Sequence, residues 1–564
     1  MAVLGKESQF SSRDTSGQYQ SSWPCAFFLP LLILVTPFFH FINHHAYCFT
    51  CTETLAIASS LTILATACFV IFVTGWSRLY FLLIFLLITI FIDLQFEWVN
   101  NTYQIFLIPI ILFLFARILN DNFTLIATVV FATFFIVTLA QSTPSLANHS
   151  YRFTQAFPLP KSSSPPRLIH IILDEHIGID GIPTGLHGGK ALQEKLIDFY
   201  RTHGFQLFSG AFSHYAQTYN SIPSLMNFSS EDNQQINILL DPSDTNHRLL
   251  HNAYFEKLAK MRYEINVLAP HYIDYCMHSP IPVQNCSRYN SFEMKAVRDL
   301  EIPISKKVKL LLTRYFSDSY FKNFIVKKPY QNMRSVGTEL LGVSLPAWSW
   351  ESSESSLHMH SINTLHILDN LGERILAIPP GNAFIVHLLF PHYPYIAQAN
   401  CSIINPMDWK DRYIHIHGTL PTVGNTAESR NVRYQLYFDQ LSCLYSKLDE
   451  LFKQLKAARI YEDSIIILHG DHGSRISISE PFVSNRDVLT DEDIIDGFST
   501  LFAVKMPGNA WGYDSSPLPL EQLMASVVTE LTGVSQTLGQ DQPGKFVYLE
   551  NKKKLSRIPF PGTQ

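Results

Sequence analysis

The stretch Ser464-Ile-Ile-Ile-Leu-His-Gly-Asp-His-Gly-Ser-Arg475 carries the strongest structural signal in the chain. Its apolar, β-branched run predicts a buried strand that ends in a tight turn at residues 470–473. In an open α/β sheet, ligands collect beyond the carboxyl ends of the strands. Asp471 and His472 are therefore delivered side by side to one divalent cation, between glycines that would permit unusual backbone angles. A polar turn after a core strand explains this stretch equally well on its own.

A second strand of the same kind lies far upstream, in Leu168-Ile-His-Ile-Ile-Leu-Asp-Glu-His-Ile-Gly178. It runs directly into two carboxylates, Asp174 and Glu175. Parallel strands in an α/β sheet end at the same edge, and two strands that both end in ligands predict one mostly parallel sheet holding one site.

The composition indicates a membrane portion rather than a purely soluble protein. Charged residues make up 16% of the 564 residues, and phenylalanine occurs 41 times. Soluble domains usually carry roughly 25% charged residues. The net charge of -5 gives no general case for a nucleic-acid partner, because such proteins usually present a basic face.

The apolar residues concentrate in five stretches near the amino terminus. These stretches span residues 25–43, 54–75, 79–96, 103–119 and 123–141. Each is about long enough to cross a ~30 Å hydrocarbon layer, and a single cleavable signal peptide cannot explain five of them. The sequence therefore predicts a cytoplasmic tail at residues 1–20 and a transmembrane domain of five helices at residues 21–142.

The basic residues between these stretches predict the orientation. Lys6, Arg13, Arg78 and Arg117 all fall on one side if each stretch crosses once. By the positive-inside rule that side is the cytoplasm. Five crossings would then place everything after about residue 142 outside, in a multi-pass protein of the cell (inner) membrane with an extracytoplasmic, periplasmic domain.

A linker rich in Ser and Pro, residues 143–167, leads into a region with the composition of an α/β domain. Strand-like runs lie at 168–173, 383–389, 464–468 and 500–505, with helix-like patterns at 189–202, 357–376 and 433–458 between them. We expect one catalytic domain at residues 168–545 and a carboxyl-terminal tail at residues 546–564.

Cysteines give a weaker indication of the compartment. Four of the eight lie in the predicted exterior domain, where Cys276 and Cys286 flank a loop that a disulfide would close. Free buried thiols explain them equally well. Cys48 and Cys51 have a zinc-like spacing, but they sit in a short loop between two predicted spans, which favours a disulfide or unpaired thiols.

Two further segments offer functional side chains. Ala216-Gln-Thr-Tyr-Asn-Ser-Ile-Pro-Ser-Leu225 contains the hydroxyls of Thr218 and Ser221, and a bound cation would activate such a hydroxyl as a nucleophile. Ala383-Phe-Ile-Val-His-Leu-Leu-Phe-Pro-His-Tyr-Pro-Tyr395 contains His387 and His392. Taken singly, the first segment also fits a helix cap and the second a core histidine.

The order of these motifs after the apolar stretches resembles the alkaline phosphatase/sulfatase superfamily. Within it, the chain resembles the membrane-anchored phosphoethanolamine and phosphoglycerol transferases, and the resemblance implies a sulfatase-like α/β domain. It also implies a role for each motif residue: metal binding by Asp174, Glu175, Asp471 and His472, a nucleophilic Thr218 at the metal, and substrate contacts from His387 and His392.

The chain departs from the family pattern at three places. Leu225 stands where sulfatases have the Arg of their nucleophile motif, which argues against a formylglycine and against ordinary sulfate-ester hydrolysis. Ser474 and Arg475 follow the Asp-His-Gly where the transferases usually have Glu, and no histidine follows before residue 500.

These features predict a metal-dependent phosphotransferase. Zinc is the expected cation given the imidazole ligand, with manganese or calcium as alternatives if oxygen ligands dominate. Thr218 would attack phosphorus to form a phospho-Thr intermediate, with Ser221 as the alternative nucleophile and His392 protonating the leaving group. The expected donor is a membrane lipid headgroup of the phosphoethanolamine or phosphoglycerol type, and the expected acceptor an envelope glycolipid or glycan. A membrane-bound hydrolase of phosphate or sulfate esters and a non-catalytic binding protein are the alternatives.

Overall fold

The computed structural model of the chain forms two compact units. The helical unit comprises Met1–Ala147 and Val297–Ser353, and the sheet unit comprises Asn148–Ala296 and Glu354–Gln564. The predicted tail at 1–20 and most of the predicted linker lie outside the described residues. Those residues are 23–45, 47–96, 102–119, 122–141, 164–229, 238–239, 247–249, 251–276, 283–289, 295–298, 300, 302–316, 352–404, 426–533, 545–551 and 554–561.

Apolar helices make up the amino-terminal part of the helical unit. They are α1 (Trp23–His44), α2 (Thr52–Val73), α3 (Ser77–Phe96), α4 (Thr102–Leu119) and α5 (Phe123–Gln141). Threonine hydroxyls within them donate to backbone carbonyls one turn back, as Thr62 does to Ala58 over 2.9 Å and Thr66 does to Thr62 over 2.8 Å. These bonds satisfy polar groups that a hydrocarbon layer would leave without partners.

Within the described residues, only α1, α2 and α3 are each long and apolar enough to cross a membrane alone. The prediction of five separate spans is therefore wrong for the last two stretches. α4 and α5 qualify only as a pair, and this pair is bent by 118°, which allows at most four spans in all.

Further helices follow along the chain. They are α6 (Gly189–Thr202), α7 (Thr218–Asn227), α8 (Ala253–Lys260), α9 (Lys295–Arg298), α10 (Ile304–Tyr315), α11 (Ser352–Asp369), α12 (Leu371–Leu376), α13 (Ala427–Ala457), α14 (Asp491–Phe498) and α15 (Leu520–Thr532). Short 3₁₀ turns lie at Ile179–Gly181 and Val483–Asn485.

Helix α10 belongs to the helical unit although its sequence interrupts that of the sheet unit. It packs against α2. At its end, the Tyr315 ring lies 5.7 Å from the Phe38 ring and 5.3 Å from the Phe41 ring, centroid to centroid. Leu311 is fully buried. An amphipathic segment from the middle of the chain thus completes the apolar packing around α1 and α2.

The sheet unit is built on short strands. They are β1 (Leu168–Leu173), β2 (Gln206–Phe208), β3 (Ala211–Phe212), β4 (Ile238–Leu239), β5 (His247–Leu249), β6 (Glu264–Pro270), β7 (Ile273–Asp274), β8 (Val283–Tyr289), β9 (Asn382–Leu388), β10 (Ile465–Gly470), β11 (Phe502–Lys505), β12 (Gly512–Asp514), β13 (Leu518–Pro519), β14 (Phe546–Asn551) and β15 (Lys554–Pro559).

Eight of these strands form one central sheet in the order β12-β2-β11-β10-β1-β9-β6-β8. Neighbouring strands run parallel except where β11 pairs with β10 and with β2. The predicted α/β fold with a mostly parallel central sheet is confirmed.

The central strands are buried on both faces because helices cover each side. β1, β9 and β10 have no exposed residue. Ile169 and Ile171 face a core shared with α6, α11, α12 and α13, whereas Leu168 and Ile172 face a core shared with α7, α8 and α15. Continuous apolar runs, rather than alternating ones, are what such two-sided burial requires.

The register aligns the carboxyl ends of the three central strands. Leu173 at the end of β1 pairs with Leu388 of β9 and with Gly470 of β10. Residues just beyond these three positions therefore emerge at one edge of the sheet, as the sequence predicts.

The segment predicted as a carboxyl-terminal tail contains the antiparallel hairpin β14–β15. Val547 and Leu549, alternate residues of β14, are fully buried in a cluster with Phe212 and Phe560. Tyr548 and Glu550 between and after them are buried as well, so β14 and β15 are part of the folded unit.

Two disulfides close loops in the sheet unit. One joins Cys276 to Cys286 across 10 positions, and the other joins Cys401 to Cys443 across 42 positions. Because disulfides persist mainly in oxidising compartments, they fit an exterior location.

The two disulfides should stabilise the fold unequally. Replacing Cys401 and Cys443 together with Ala should lower the free energy of unfolding by roughly 4 kcal/mol, and replacing Cys276 and Cys286 by roughly 3 kcal/mol, because the longer loop loses more entropy on closure. Chemical denaturation of the full chain in detergent, followed by circular dichroism, measures both losses. A larger loss for the Cys276–Cys286 pair would contradict the loop-length explanation.

Candidate active site

Four side chains from three elements converge at the carboxyl edge of the sheet. Asp174 follows β1, Asp471 and His472 follow β10, and Thr218 is the first residue of α7. His472 Nε2 lies 3.2 Å from Asp471 Oδ2 and 3.9 Å from Asp174 Oδ1. The Thr218 hydroxyl lies 3.3 Å from the same nitrogen.

The orientation of His472 leaves a lone pair directed at this cluster. Its Nδ1 lies 3.0 Å from the Gly473 carbonyl, which can only accept, so Nδ1 carries the proton and donates it. Nε2 is then unprotonated in the neutral ring. A backbone acceptor on the far nitrogen is the usual way in which proteins fix a metal-binding histidine.

Two carboxylate oxygens in the cluster are buried without a hydrogen-bond partner in the described part of the chain: Asp174 Oδ1 and Asp471 Oδ2. Both residues are fully buried. Burying acceptors that have no donor is costly, and two adjacent carboxylates add repulsion. A divalent cation between Asp174, Asp471, His472 and Thr218 would remove both penalties, and a mixed nitrogen and oxygen set of four suits zinc.

The electrostatics of the two carboxyls differ. Burial raises the pKa of Asp471, and the neighbouring Asp174 carboxylate raises it further. Burial also opposes ionisation of Asp174, but His392 and His387 outweigh it and lower the pKa of that carboxyl. Asp174 is thus ready to bind a cation as an anion, while Asp471 needs a positive charge nearby to ionise.

The other oxygen of Asp174 is held by neighbours. Tyr272 donates its hydroxyl to Asp174 Oδ2 over 2.8 Å, and His387 Nε2 lies 3.2 Å from the same oxygen. Tyr275 lies 2.9 Å from the remaining nitrogen, His387 Nδ1. Ligand atoms of Asp174, His387 and Asp471 all lie within 4.8 Å of one another, so His387 is also in reach of a cation. Because both of its nitrogens already have partners, the geometry favours an orienting role for His387.

Glu175, which is also predicted as a metal ligand, pairs with Arg475. Its backbone is left-handed, with a φ of 62°. The Glu175 carboxylate accepts from Arg475 Nε over 2.8 Å, forms a further bond to Arg475 Nη2, and accepts from the Tyr393 backbone N–H over 3.0 Å. His392 Nε2 lies 3.5 Å from it. The structure therefore groups Glu175 with Arg475 and His392.

Arg475 connects this group to the helix that carries Thr218. Its Nη1 donates to Gln217 Oε1 over 2.7 Å, and Gln217 immediately precedes α7. In the sequence Arg475 was only a departure from the family pattern. An arginine three residues after His472 and a second acidic residue after Asp174 are the signal that could have paired it with Glu175.

Ser221, the alternative nucleophile, lies one helical turn beyond Thr218. It is buried, and its hydroxyl has no hydrogen-bond partner among the described residues. The contacts in the described chain bring Thr218, and not Ser221, to His472. Thr218 is the first residue of α7, so the helix dipole adds partial positive charge there.

Glu550 of β14 hydrogen-bonds to side chains in the first turn of α7. Tyr219 donates its hydroxyl to Glu550 Oε2 over 3.0 Å. Burial raises the pKa of Glu550 to about 7, against the lowering effect of bonds from Asn220 and Tyr219. Sequence reasoning missed this residue, because it lies in the segment predicted as a tail.

The glycines around Asp471 and His472 are required by space and not by unusual angles, unlike the prediction. Neither Gly470 nor Gly473 has a positive φ. A Cβ at Gly473 would lie 2.3 Å from the Asp496 carbonyl oxygen, and one at Gly470 would lie 2.5 Å from the His176 carbonyl oxygen. Only glycine lets the turn approach the backbone this closely.

The chain is similar to several solved structures. The C-terminal periplasmic domain of EcEptC from Escherichia coli, in complex with zinc, is 13% identical over 72% of this chain and 97% of its own, with a TM-score of 0.39. The phosphonate monoester hydrolase of Agrobacterium radiobacter is 13% identical over 68% and 80%, with a TM-score of 0.37. A protein in the alkaline phosphatase superfamily from Vibrio parahaemolyticus is 12% identical over 71% and 79%, with a TM-score of 0.34. No protein-family model and no curated protein matches the chain.

Metal binding should depend on the four-residue cluster and not on Glu175. Asp471→Asn and His472→Ala should each weaken zinc affinity by more than about 100-fold, because each removes a ligand. Glu175→Gln, the matched control, should leave the affinity unchanged. Competition with a chromophoric chelator on the purified full chain measures all three. A loss in Glu175→Gln equal to that in Asp471→Asn would return Glu175 to the ligand set.

Proposed function

We propose that the chain is a metal-dependent phosphotransferase that moves a lipid headgroup phosphate through a phospho-Thr intermediate at Thr218. The observation that carries the proposal is the position of the Thr218 hydroxyl, 3.3 Å from the lone-pair nitrogen of His472. It lies beside two buried carboxylate oxygens that have no partner in the described chain. This set of groups suits a nucleophile activated by a cation better than a helix cap.

Asp174, Asp471, His472 and the Thr218 oxygen would hold the cation, for which zinc is the first choice. When bound, it would lower the pKa of the threonine hydroxyl and offset charge on a phosphoryl oxygen. The partial positive charge at the start of α7 acts in the same direction.

In the first step, the Thr218 hydroxyl gives its proton to water, Oγ1 forms a bond to phosphorus, and the bond from phosphorus to the lipid oxygen breaks. His392 Nδ1 donates to the Tyr393 carbonyl over 2.5 Å, so the leaving lipid alcohol takes its proton from His392 Nε2, in the ring form that carries a proton on both nitrogens, 3.5 Å from Glu175 Oε1. An acceptor hydroxyl then gives its proton to the same Nε2 and attacks phosphorus, and Thr218 Oγ1 is released and takes a proton from water. With water as the acceptor, the same steps amount to hydrolysis.

The apolar helices support a substrate in the membrane. A phospholipid of the phosphoethanolamine or phosphoglycerol type as donor, and an envelope glycolipid or glycan as acceptor, would share the plane in which the chain is anchored. Confinement to one plane raises the effective concentration of enzyme and substrate for each other.

Thr218→Ala should lower headgroup release by at least about a thousandfold, since it removes the nucleophile. Ser221→Ala should retain activity, and Thr218→Ser should retain part of it. The assay follows release of headgroup from phosphatidylethanolamine and phosphatidylglycerol in mixed micelles, and intact mass spectrometry seeks the adduct on Thr218. Full activity in Thr218→Ala would overturn the mechanism. Release into water that no glycan acceptor increases would favour the hydrolase, and no release from wild type would favour the binding protein.

The sheet unit is proposed to lie outside the cytoplasm. With the amino terminus inside, three spans place the sheet unit outside, whereas four place it inside. Its two disulfides favour the oxidising side and therefore an odd number of spans.

Reporter fusions to a periplasmic phosphatase count the spans. Fusions after Thr50 and at the carboxyl terminus should be active, because both lie outside, whereas a fusion after Gly75 should be inactive. A carboxyl-terminal fusion that is inactive while the Thr50 fusion is active would show an even number of spans and would refute the exterior location.

A further inference from the structure

Two cysteines meet in the turn between α1 and α2, outside the apolar helices. Cys51 is the residue that begins α2 as its N-cap, and Cys48 lies three positions before it. Thr54 donates its hydroxyl to the Cys48 carbonyl over 2.8 Å, which folds the turn back onto the first turn of α2. The two thiols hydrogen-bond to each other, and neither side chain is fully buried.

The pKa values of the two thiols are shifted in opposite directions. The hydrogen bond from Cys51 lowers the pKa of Cys48, and the bond with Thr50 lowers it further. Burial raises the pKa of Cys51 to about 11, and the bond with Cys48 adds to this rise. Cys48 is thus the thiol that ionises first. A Cys-x-x-Cys pair on an accessible turn, with one cysteine that ionises more readily than the other, favours thiol–disulfide exchange.

The other cysteines of the described chain are arranged differently. Cys276–Cys286 and Cys401–Cys443 are closed disulfides. Cys25 and Cys68 are free and lie within the apolar helices α1 and α2. Cys48 and Cys51 are therefore the free pair, among the described residues, that an aqueous reagent can reach.

We propose that Cys48 and Cys51 form a reversible dithiol–disulfide couple that exchanges with disulfides on the face of the membrane where this turn lies. The Cys48 thiolate attacks one sulfur of the incoming disulfide, and the other sulfur leaves as a thiolate and takes a proton. Cys51 then attacks Cys48 Sγ, which releases the second thiol. The incoming disulfide gains two electrons and the pair loses two, becoming the Cys48–Cys51 disulfide. An external dithiol returns the pair to its reduced form.

The test uses the full chain in detergent with Cys25→Ala and Cys68→Ala, so that labelling reports this pair alone. The protein is equilibrated with a graded series of reduced and oxidised glutathione, quenched with acid, and labelled with a polyethylene-glycol maleimide. The pair should pass from two labelled thiols to none within the series, while both sheet-unit disulfides stay closed. A pair that stays fully oxidised or fully reduced throughout the series would overturn the proposal.

Single variants test the division of roles. In Cys51→Ser the attacking thiol remains, so a mixed disulfide with glutathione should accumulate at Cys48. In Cys48→Ser, mixed-disulfide formation at Cys51 should be at least about tenfold slower, because the remaining thiol ionises less readily. Equal rates in the two variants would refute the assignment. Size-exclusion chromatography of each variant shows that the helical unit remains folded.

Discussion

Two carboxylates, Asp174 and Asp471, are buried side by side at the edge of one sheet. Their negative charges repel each other, and the rest of the candidate site depends on this repulsion. The parallel pairing of β1 with β10 holds the two carboxylates close together. Hydrogen bonds from Tyr272 and His387 satisfy only the outer oxygen of Asp174. The two remaining oxygens, Asp174 Oδ1 and Asp471 Oδ2, have no hydrogen-bond partner among the described residues and lie near His472. A positive charge is required there.

A second group of charged residues, Glu175 and Arg475, lies beside the inner cluster. The loop after β1 contributes one carboxylate, Asp174, to the inner cluster, and the other, Glu175, binds Arg475. Arg475 also holds Gln217, so the loop that carries Asp471 is joined to the start of the nucleophile helix. The Arg475 guanidinium thus supplies positive charge at Glu175, and the proposed cation would supply it at Asp174.

The sequence predicted the sheet and the inner cluster because both follow from local patterns. A strand that ends in polar residues places them at the edge whatever the rest of the fold does, so Asp174, Asp471 and His472 could be brought together from their positions alone. Glu175 could not be separated from Asp174 in this way, because its partner Arg475 lies 300 positions away in the sequence. Five spans were predicted because hydropathy reports how apolar a stretch is, and not whether two neighbouring stretches form separate spans or one broken span. Glu550 was missed since its role depends on a hairpin closing over α7.

The helix α10 has a consequence for how the chain can be divided. Its sequence lies between segments of the sheet unit, but its apolar side chains, with Tyr315 between Phe38 and Phe41, are packed in the helical unit. A protease cut or a gene truncation at the linker before β1 would therefore not release a self-contained soluble enzyme. The fragment would keep α10 but lose the aromatic side chains that cover it, which would leave an exposed apolar patch prone to aggregation. Excising residues 297–353 together with the amino-terminal helices, and joining the flanking ends with a short flexible segment, is the division that follows the packing.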